Sequence, residues 1–333
     1  MFGSASQKFQ NLLDIFKNLL YNKMNYNLLS IYSHILEGDV FMAKIRLLTD
    51  TASDIDLKTA QKYDLVLIPM TVTIGQKEYK EAYDFTKEEF YHMLPEGDEI
   101  PTTAQVPPFE FLDAIKAAYK DDVTDLIIVT INQKASFTYN SAQLARKMFQ
   151  NDVPDSGMNI YVINTMAYSY CYGYPVVQAA KMAKENKPVE IILNYLEDWF
   201  SRIEVYFTVF DLKYAKKSGR IGGAAAIAGE LLGIKPIMCL TRGDSVNAQK
   251  VRGIPKAMDA LLEIAKEKIG EDKQYVLFHG KNDPKDFVKL MKDGLKEKPL
   301  ENNLIGSCIV CNAGPEVVGI CFLGEKRDEE IIC

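Results

Sequence analysis

DLIIVTINQKASFTYNSAQLARKMF, residues 125–149, decides the fold class. After Asp125, residues 126–131 (LIIVTI) are largely β-branched and apolar but for Thr130, which fits a strand. TYNSAQLARKMF (138–149) then reads as a helix, and NIYVIN (159–164) as a second strand. Strand, helix and strand in this order make a right-handed βαβ unit and imply a parallel sheet.

The same alternation extends in both directions. Upstream, AKIRLL (43–48) is a buried strand, and TDTASD (49–54) is its loop. A helix over 55–62 would be capped by Ser53 or Asp54. LVLIPMTVTI (65–74) is apolar, and KEEFYHML (87–94) is helical. PPFEFLDAIKAAYK (107–120) starts a helix with proline in the first turn, where the missing N–H does no harm. Downstream, PVVQAAKMAKE (175–185) and VEIILNYLEDWFSRI (189–203) are helices.

Beyond residue 203 the pattern changes. EVYFTVF (204–210) is a strand, and the stretch 212–233 is a helical region broken by glycines. IKPIMCL and SVNAQKV flank TRGD as a hairpin. A helix over 255–269, the strand QYVLFHG and the helix PKDFVKLMKDGL follow. LIGSCIVC (304–311) and VVGICFL (317–323) read as a second strand pair around NAGPE. The expected architecture is α/β with two domains. A mostly parallel domain spans 43–203, and a smaller α/β domain with antiparallel pairs spans 204–333. Residues 1–42 form an N-terminal extension, with an amphipathic helix marked by Phe9, Leu12, Leu13, Phe16, Leu19 and Leu20. Such a helix would pack on the body or another subunit, or lie on a membrane surface. The clear pattern starts only near Met42, so an upstream start artefact is an alternative source of this stretch.

At 333 residues the chain exceeds the usual reach of one core. A net charge of −6 argues against a nucleic-acid partner and fits a small ligand or a protein. Six cysteines at 171, 239, 308, 311, 321 and 333 form no tight framework, so reduced thiols in a cytoplasm are expected. Read as part of a strand, Cys308 and Cys311 point to opposite faces, against a bridge or a shared metal. His34, His92 and His279 match no metal-ligand spacing. No apolar run is long enough to span a membrane, and the first residues do not read as a signal peptide. P-loop, dinucleotide-binding, nucleophile-elbow and HExxH signatures are missing from the sequence. No cofactor and no metal are expected.

Hydroxyls recur instead. They fall in residues 49–53, in PTTAQ (101–105), in ASFTYN (135–140), and in residues 165–169. In an open α/β sheet such loops gather at the carboxyl ends of the strands, where ligands bind. Each is also an ordinary helix cap when taken alone. Hydroxyls, amides and helix N-termini hold a carboxylate without a cation, and they do not activate it.

These loops, in this order, resemble the DegV family. The resemblance covers about residues 43–333 and rests on LLTDTASDI, PTTAQVPPFEF, ASFTYNSA, INTMAYSYCYG, LKYAKKSGRI, LLGIKPI and NAGPEVVG. It implies a protein that binds a long-chain fatty acid in a tunnel between its two domains and presents the carboxylate to a fatty acid kinase. It implies Thr103 and Ser136 as carboxylate donors, with Thr102 as neighbour. Arg220 and Asn312 would lie at the mouth of the site or face a partner. Lys216 and Lys217 beside Arg220 would suit an acidic partner. The chain departs from the family pattern at Phe137, Asn164, Cys171, Asn312 and Glu316. Bulk at Phe137 would narrow the anion pocket or shift Ser136. Glu316, if inward, would repel a bound carboxylate. Asn312 cannot carry the proton that a histidine can. Two alternatives stand beside the carrier. One is an interaction protein of the same fold that has lost its ligand. The other is an enzyme with Ser136 as nucleophile, which the absence of a histidine in a neighbouring motif disfavours.

Overall fold

In a computed structural model that describes residues 43–221, 233–281 and 284–326, the strands are β1 (Ile45–Asp50), β2 (Leu65–Ile68), β3 (Thr71–Ile74), β4 (Lys77–Lys80), β5 (Thr102–Ala104), β6 (Asp125–Thr130), β7 (Asn159–Asn164), β8 (Ile203–Val209), β9 (Ile234–Thr241), β10 (Asp244–Arg252), β11 (Tyr275–His279), β12 (Glu301–Leu304) and β13 (Val317–Leu323). Among the described residues they form three sheets. The first, in the order β2-β1-β6-β7, is wholly parallel. All six residues of β6 are buried, as a central strand covered on both faces requires. The second, β10-β9-β8-β13-β11-β12, is mixed, with β13 antiparallel to both of its neighbours. The third is a small antiparallel sheet, β4-β3-β5. The α/β class, the parallel N-terminal sheet and the C-terminal antiparallel pairs are as the sequence predicts.

The mixed sheet sorts its side chains by the two-residue period. Tyr206 of β8 and Val318, Ile320 and Phe322 of β13 share a core with Leu261 and Phe287 of the helices Ile254–Lys268 and Lys285–Leu295. Val205, Phe207, Val317 and Cys321, the alternate residues, join the core shared with the parallel sheet. Gly319 lies among the latter. A Cβ there would meet Phe278 Cζ at 2.1 Å and Phe207 Cβ at 2.8 Å, so glycine lets both rings lie against the sheet.

Four readings are corrected. LVLIPMTVTI is one apolar run in sequence, but its two halves enter different sheets as β2 and β3, separated at Pro69 and Met70. Thr102 and Thr103, expected in a loop, are in β5 and pair with β3. The first helix, Leu57–Lys62, is capped by Asp56, whose carboxylate accepts from Thr59 N at 2.8 Å, and not by Ser53 or Asp54. Ser307–Ala313 is a helix and not a strand, so Cys308 and Cys311 are both buried one turn apart. The extension 1–42, Cys333 and most of the glycine-alanine run 219–229 lie outside the described residues.

Candidate functional site

The hydroxyl-bearing loops after β1, β6 and β7 leave the carboxyl edge of the parallel sheet. There they face β8, β11 and β13, and a cavity lies between. Its free space is about 940 Å³, including the part open to solvent. The lining is graded. Phe137, 64% exposed, and the exposed Gln105 and Arg220 stand at the mouth. Farther in, Met70, Ile131, Val205, Ile305 and Val317 make an apolar wall at 3% exposure or less.

Thr103, Ser136, Arg220 and Asn312 all line this one cavity. Thr102 does not. Strand alternation turns it to solvent when Thr103 turns inward. Ser136 Oγ lies 2.8 Å from Thr138 Oγ1, and Thr138 Oγ1 accepts from Val106 N at 3.3 Å. Either hydroxyl can donate across that contact, and Thr138 Oγ1 also donates to Met70 Sδ at 3.7 Å. Ser136 makes only a 3.4 Å contact with Thr138 N, too long for a good helix cap. Arg220 follows Gly219, which ends the helix Leu212–Ser218 in the left-handed region at φ 67°. Asn312 Nδ2 donates to Cys308 O at 2.7 Å, and its carbonyl accepts from Ser218 Oγ at 3.2 Å. Phe137 turns its ring to solvent at the rim. Glu316 does not line the cavity and pairs with Lys281 at 3.4 Å. Asn164 Oδ1 accepts from Gln133 N and Met166 N, tying two loops together.

Tyr168, from the 165–169 loop, also lines the cavity, and it is tied to residues outside the quoted motifs. Tyr168 OH accepts from Asn132 Nδ2 at 2.8 Å, and the same amide reaches Gly243 O at 2.6 Å. Lys134 pairs with Asp244 at 2.6 Å. The β9–β10 hairpin tip is thereby fastened beside the mouth, and Ser245 enters the lining. The hairpin is legible in the sequence; its landing point, more than 100 residues away, is not.

Behind the cavity lies a clasp of buried carboxylates. Glu81 accepts from Thr51 Oγ1 at 2.7 Å, Ser307 Oγ at 2.6 Å and Cys308 N at 2.7 Å. Asp54 accepts from Gly306 N at 2.8 Å and from Ser169 Oγ. Lys87 Nζ donates to Asp54 O, Leu304 O and Asn303 Oδ1. Asp50 accepts from Tyr172 OH at 2.6 Å and Ile131 N at 2.8 Å. Burial raises Asp50 to about 6, against the lowering pull of those two hydrogen bonds. Burial likewise raises Asp54 to about 7, against nearby Lys87. Asp54 at φ 59° and Ser169 at φ 57° are both in backbone that L-residues rarely adopt, held there by the contacts they make. Neither described histidine lines the cavity, so Ser136 has no imidazole base beside it. Among the described residues no group of His, Cys, Asp and Glu has metal-holding geometry, and no helix is long and apolar enough to cross a membrane.

The DegV family model matches residues 44–325. The chain belongs to the DegV family. A DegV domain-containing protein of Clostridium perfringens is 31% identical over 286 residues, which cover 85% of this chain and 99% of that protein. Among solved structures, a stearic acid-binding protein from Eubacterium ventriosum superposes with a TM-score of 0.75 at 25% identity, covering 85% of this chain and 98% of its own. A fatty-acid-binding DegV family protein from Thermus thermophilus superposes with a TM-score of 0.72 at 27% identity, covering 85% and 100%.

Proposed function

We propose that this DegV protein is a carrier that binds a long-chain fatty acid and does not itself catalyse. The acyl chain would lie in the cavity between the lobes 43–203 and 204–333. Its carboxylate would lie at the mouth, bound by the Thr103 and Ser136 hydroxyls, with Arg220 and Asn312 at the rim. The observation that carries this reading is the convergence of Thr103 and Ser136 on the open end of a cavity whose inner wall is apolar. Two relatives with the same fold bind fatty acids, which supports it.

The energetics divide the work. Burying a methylene gains about 0.8 kcal/mol, so a chain of about sixteen carbons gains on the order of 10 kcal/mol before ordering costs. The hydroxyls add a few kcal/mol at most and set direction. A hydroxyl and amide site has no group that activates a carboxylate, so conversion of the acid would need a second protein. Arg220 at the mouth, with the exposed Lys216 and Lys217 of the helix just before it, would face a kinase partner there. The five described cysteines are free thiols, in keeping with a cytoplasmic protein.

Native mass spectrometry of freshly purified protein, with extraction of what co-purifies, tests this. A stoichiometric fatty acid, depleted in Thr103→Ala/Ser136→Ala, is expected. A protein that arrives empty and takes up no added fatty acid would refute the carrier reading and favour the interaction protein that has lost its ligand.

A further inference from the structure

The β9–β10 hairpin reaches past its own sheet. β8 pairs with β9 only at Tyr206–Cys239 and Phe207–Met238, so from Leu240 onward the hairpin extends beyond that pairing. The register of β10 shifts between Asn247 and Gln249, a bulge that bends the strand at the root of this tip. Arg242 at φ 50° and Gly243 at φ 78° make the tight turn, and two residues beyond Gly243, Ser245 lines the cavity. We propose that this tip is a lid, latched to the N-terminal lobe through Asn132 and Lys134, and that its opening sets the rate at which lipid enters and leaves. The inference rests on the carrier reading.

The latch is preorganised on the side of the N-terminal lobe. Asn132 is fully buried, and its own lobe holds it in place. Its N–H donates to Ala167 O at 3.1 Å, and its Oδ1 accepts from Lys134 N at 3.1 Å. That leaves Nδ2 to reach the tip, where it donates to Gly243 O at 2.6 Å as well as to Tyr168 OH. Gly243 lies close against this amide. A Cβ there would meet Asn132 Oδ1 at 2.6 Å, so any side chain would push the tip away. The second tie is the Lys134–Asp244 ion pair, whose side chains are 43% and 61% exposed. A pair so exposed contributes little and is weakened by salt. Behind the cavity, by contrast, the two lobes are joined by the buried hydrogen bonds of Glu81 and Asp54. The lobes are thus held firmly at the back and lightly at the tip. Lys134 and Asp244 each stand next to a lining residue, Ala135 and Ser245. Parting them opens the lining between the Ser136 loop and the hairpin.

The test follows the exchange of a bound deuterated saturated fatty acid for its unlabelled form, sampled over time by native mass spectrometry, with Kd measured alongside. A looser lid speeds entry and exit together, so exchange should change more than Kd. Lys134→Glu sets two acids against each other and should speed exchange about three- to ten-fold. Lys134→Glu/Asp244→Lys restores the pair with its signs reversed and should return the wild-type rate. Gly243→Ala, pressed against Asn132, should speed exchange as well. Lys289→Glu breaks a surface pair with Asp293 away from the cavity lining and should leave the rate unchanged. If Gly243→Ala fails to fold, the charge reversal and its swap decide. Folded, loaded variants that exchange at the wild-type rate, or an acceleration that the swap does not reverse, would overturn the lid and leave the carrier reading intact. Wild-type protein that takes up no fatty acid would overturn both.

Discussion

The clasp around Glu81 and the cavity mouth around Ser136 use the same chemical groups to different ends. At Glu81 two hydroxyls and a backbone N–H close on the protein's own carboxylate. At the mouth, the Thr103 and Ser136 hydroxyls converge on a space that no side-chain carboxylate lines. The clasp demonstrates that this fold holds a carboxylate with hydroxyls and amides. The difference lies in burial. Glu81 is sealed at 4% exposure and ties β13's neighbourhood to the N-terminal sheet, whereas Arg220 and Gln105 leave the mouth open to exchange. One set of interactions serves stability, and in the proposed reading the other serves a ligand.

Substitutions in each place should therefore separate binding from folding. The largest effect is expected at the mouth. Thr103→Ala/Ser136→Ala should weaken fatty-acid affinity by roughly a hundredfold, or about 3 kcal/mol, and shift Tm little, as checked by calorimetric titration and thermal melts. Next comes Glu81→Gln. Thr51 Oγ1 accepts from Met70 N and so must give its proton to Glu81, while Ser307 and Cys308 donate to the other oxygen. An amide in place of the carboxylate sets one N–H against a donor, and a loss of about 2 kcal/mol is expected in chemical denaturation. Loss of affinity without loss of stability at Glu81 would break the comparison.

Asp54 sharpens it, because its two partners suit a neutral group. An amide accepts from Gly306 N and donates to Ser169 Oγ, so Asp54→Asn should fold at little cost. Its signature is pH dependence. Burial raises Asp50 and Asp54 above the ordinary 3.8, to about 6 and about 7. The folded chain therefore holds protons across that window that the unfolded chain has released. The stabilisation is complete below 3.8 and is lost as pH rises through about 6 to 7. Asp54→Asn should flatten that decline in denaturation curves taken across the window. An unchanged slope would remove Asp54 from the titration. The smallest effect is expected at Phe137, whose ring is mostly in solvent. Phe137→Gly should change affinity by less than about 1 kcal/mol, whereas a large gain would mean that the ring narrows the anion pocket after all.

The sequence carries the periodic features well and the long-range ones poorly. The βαβ alternation, the β9–β10 hairpin and the loops after β1, β6 and β7 are local patterns, and they read correctly. Ser307–Ala313 does not, because its composition of cysteine, isoleucine and valine is that of a strand. What makes it a helix is capping from far away. Asp54 and Glu81 accept the N–H groups of Gly306 and Cys308 across 252 and 227 residues of chain. Thr102 and Thr103 look like a loop between prolines until β3 supplies the partner that makes them a strand and turns only Thr103 inward. Cys171 reads in sequence as a departure from a family glycine. That it is buried in the cavity lining follows only from how its helix packs in the fold.

The most direct test of the account is a pair of titrations on wild-type protein stripped of lipid, one with a saturated fatty acid and one with its methyl ester. The two share a chain and differ at the headgroup. Tighter binding of the acid, with the preference abolished by Thr103→Ala/Ser136→Ala, is the predicted result. Equal affinities for acid and ester would contradict the account, since the hydroxyls at the mouth would then not be reading a carboxylate.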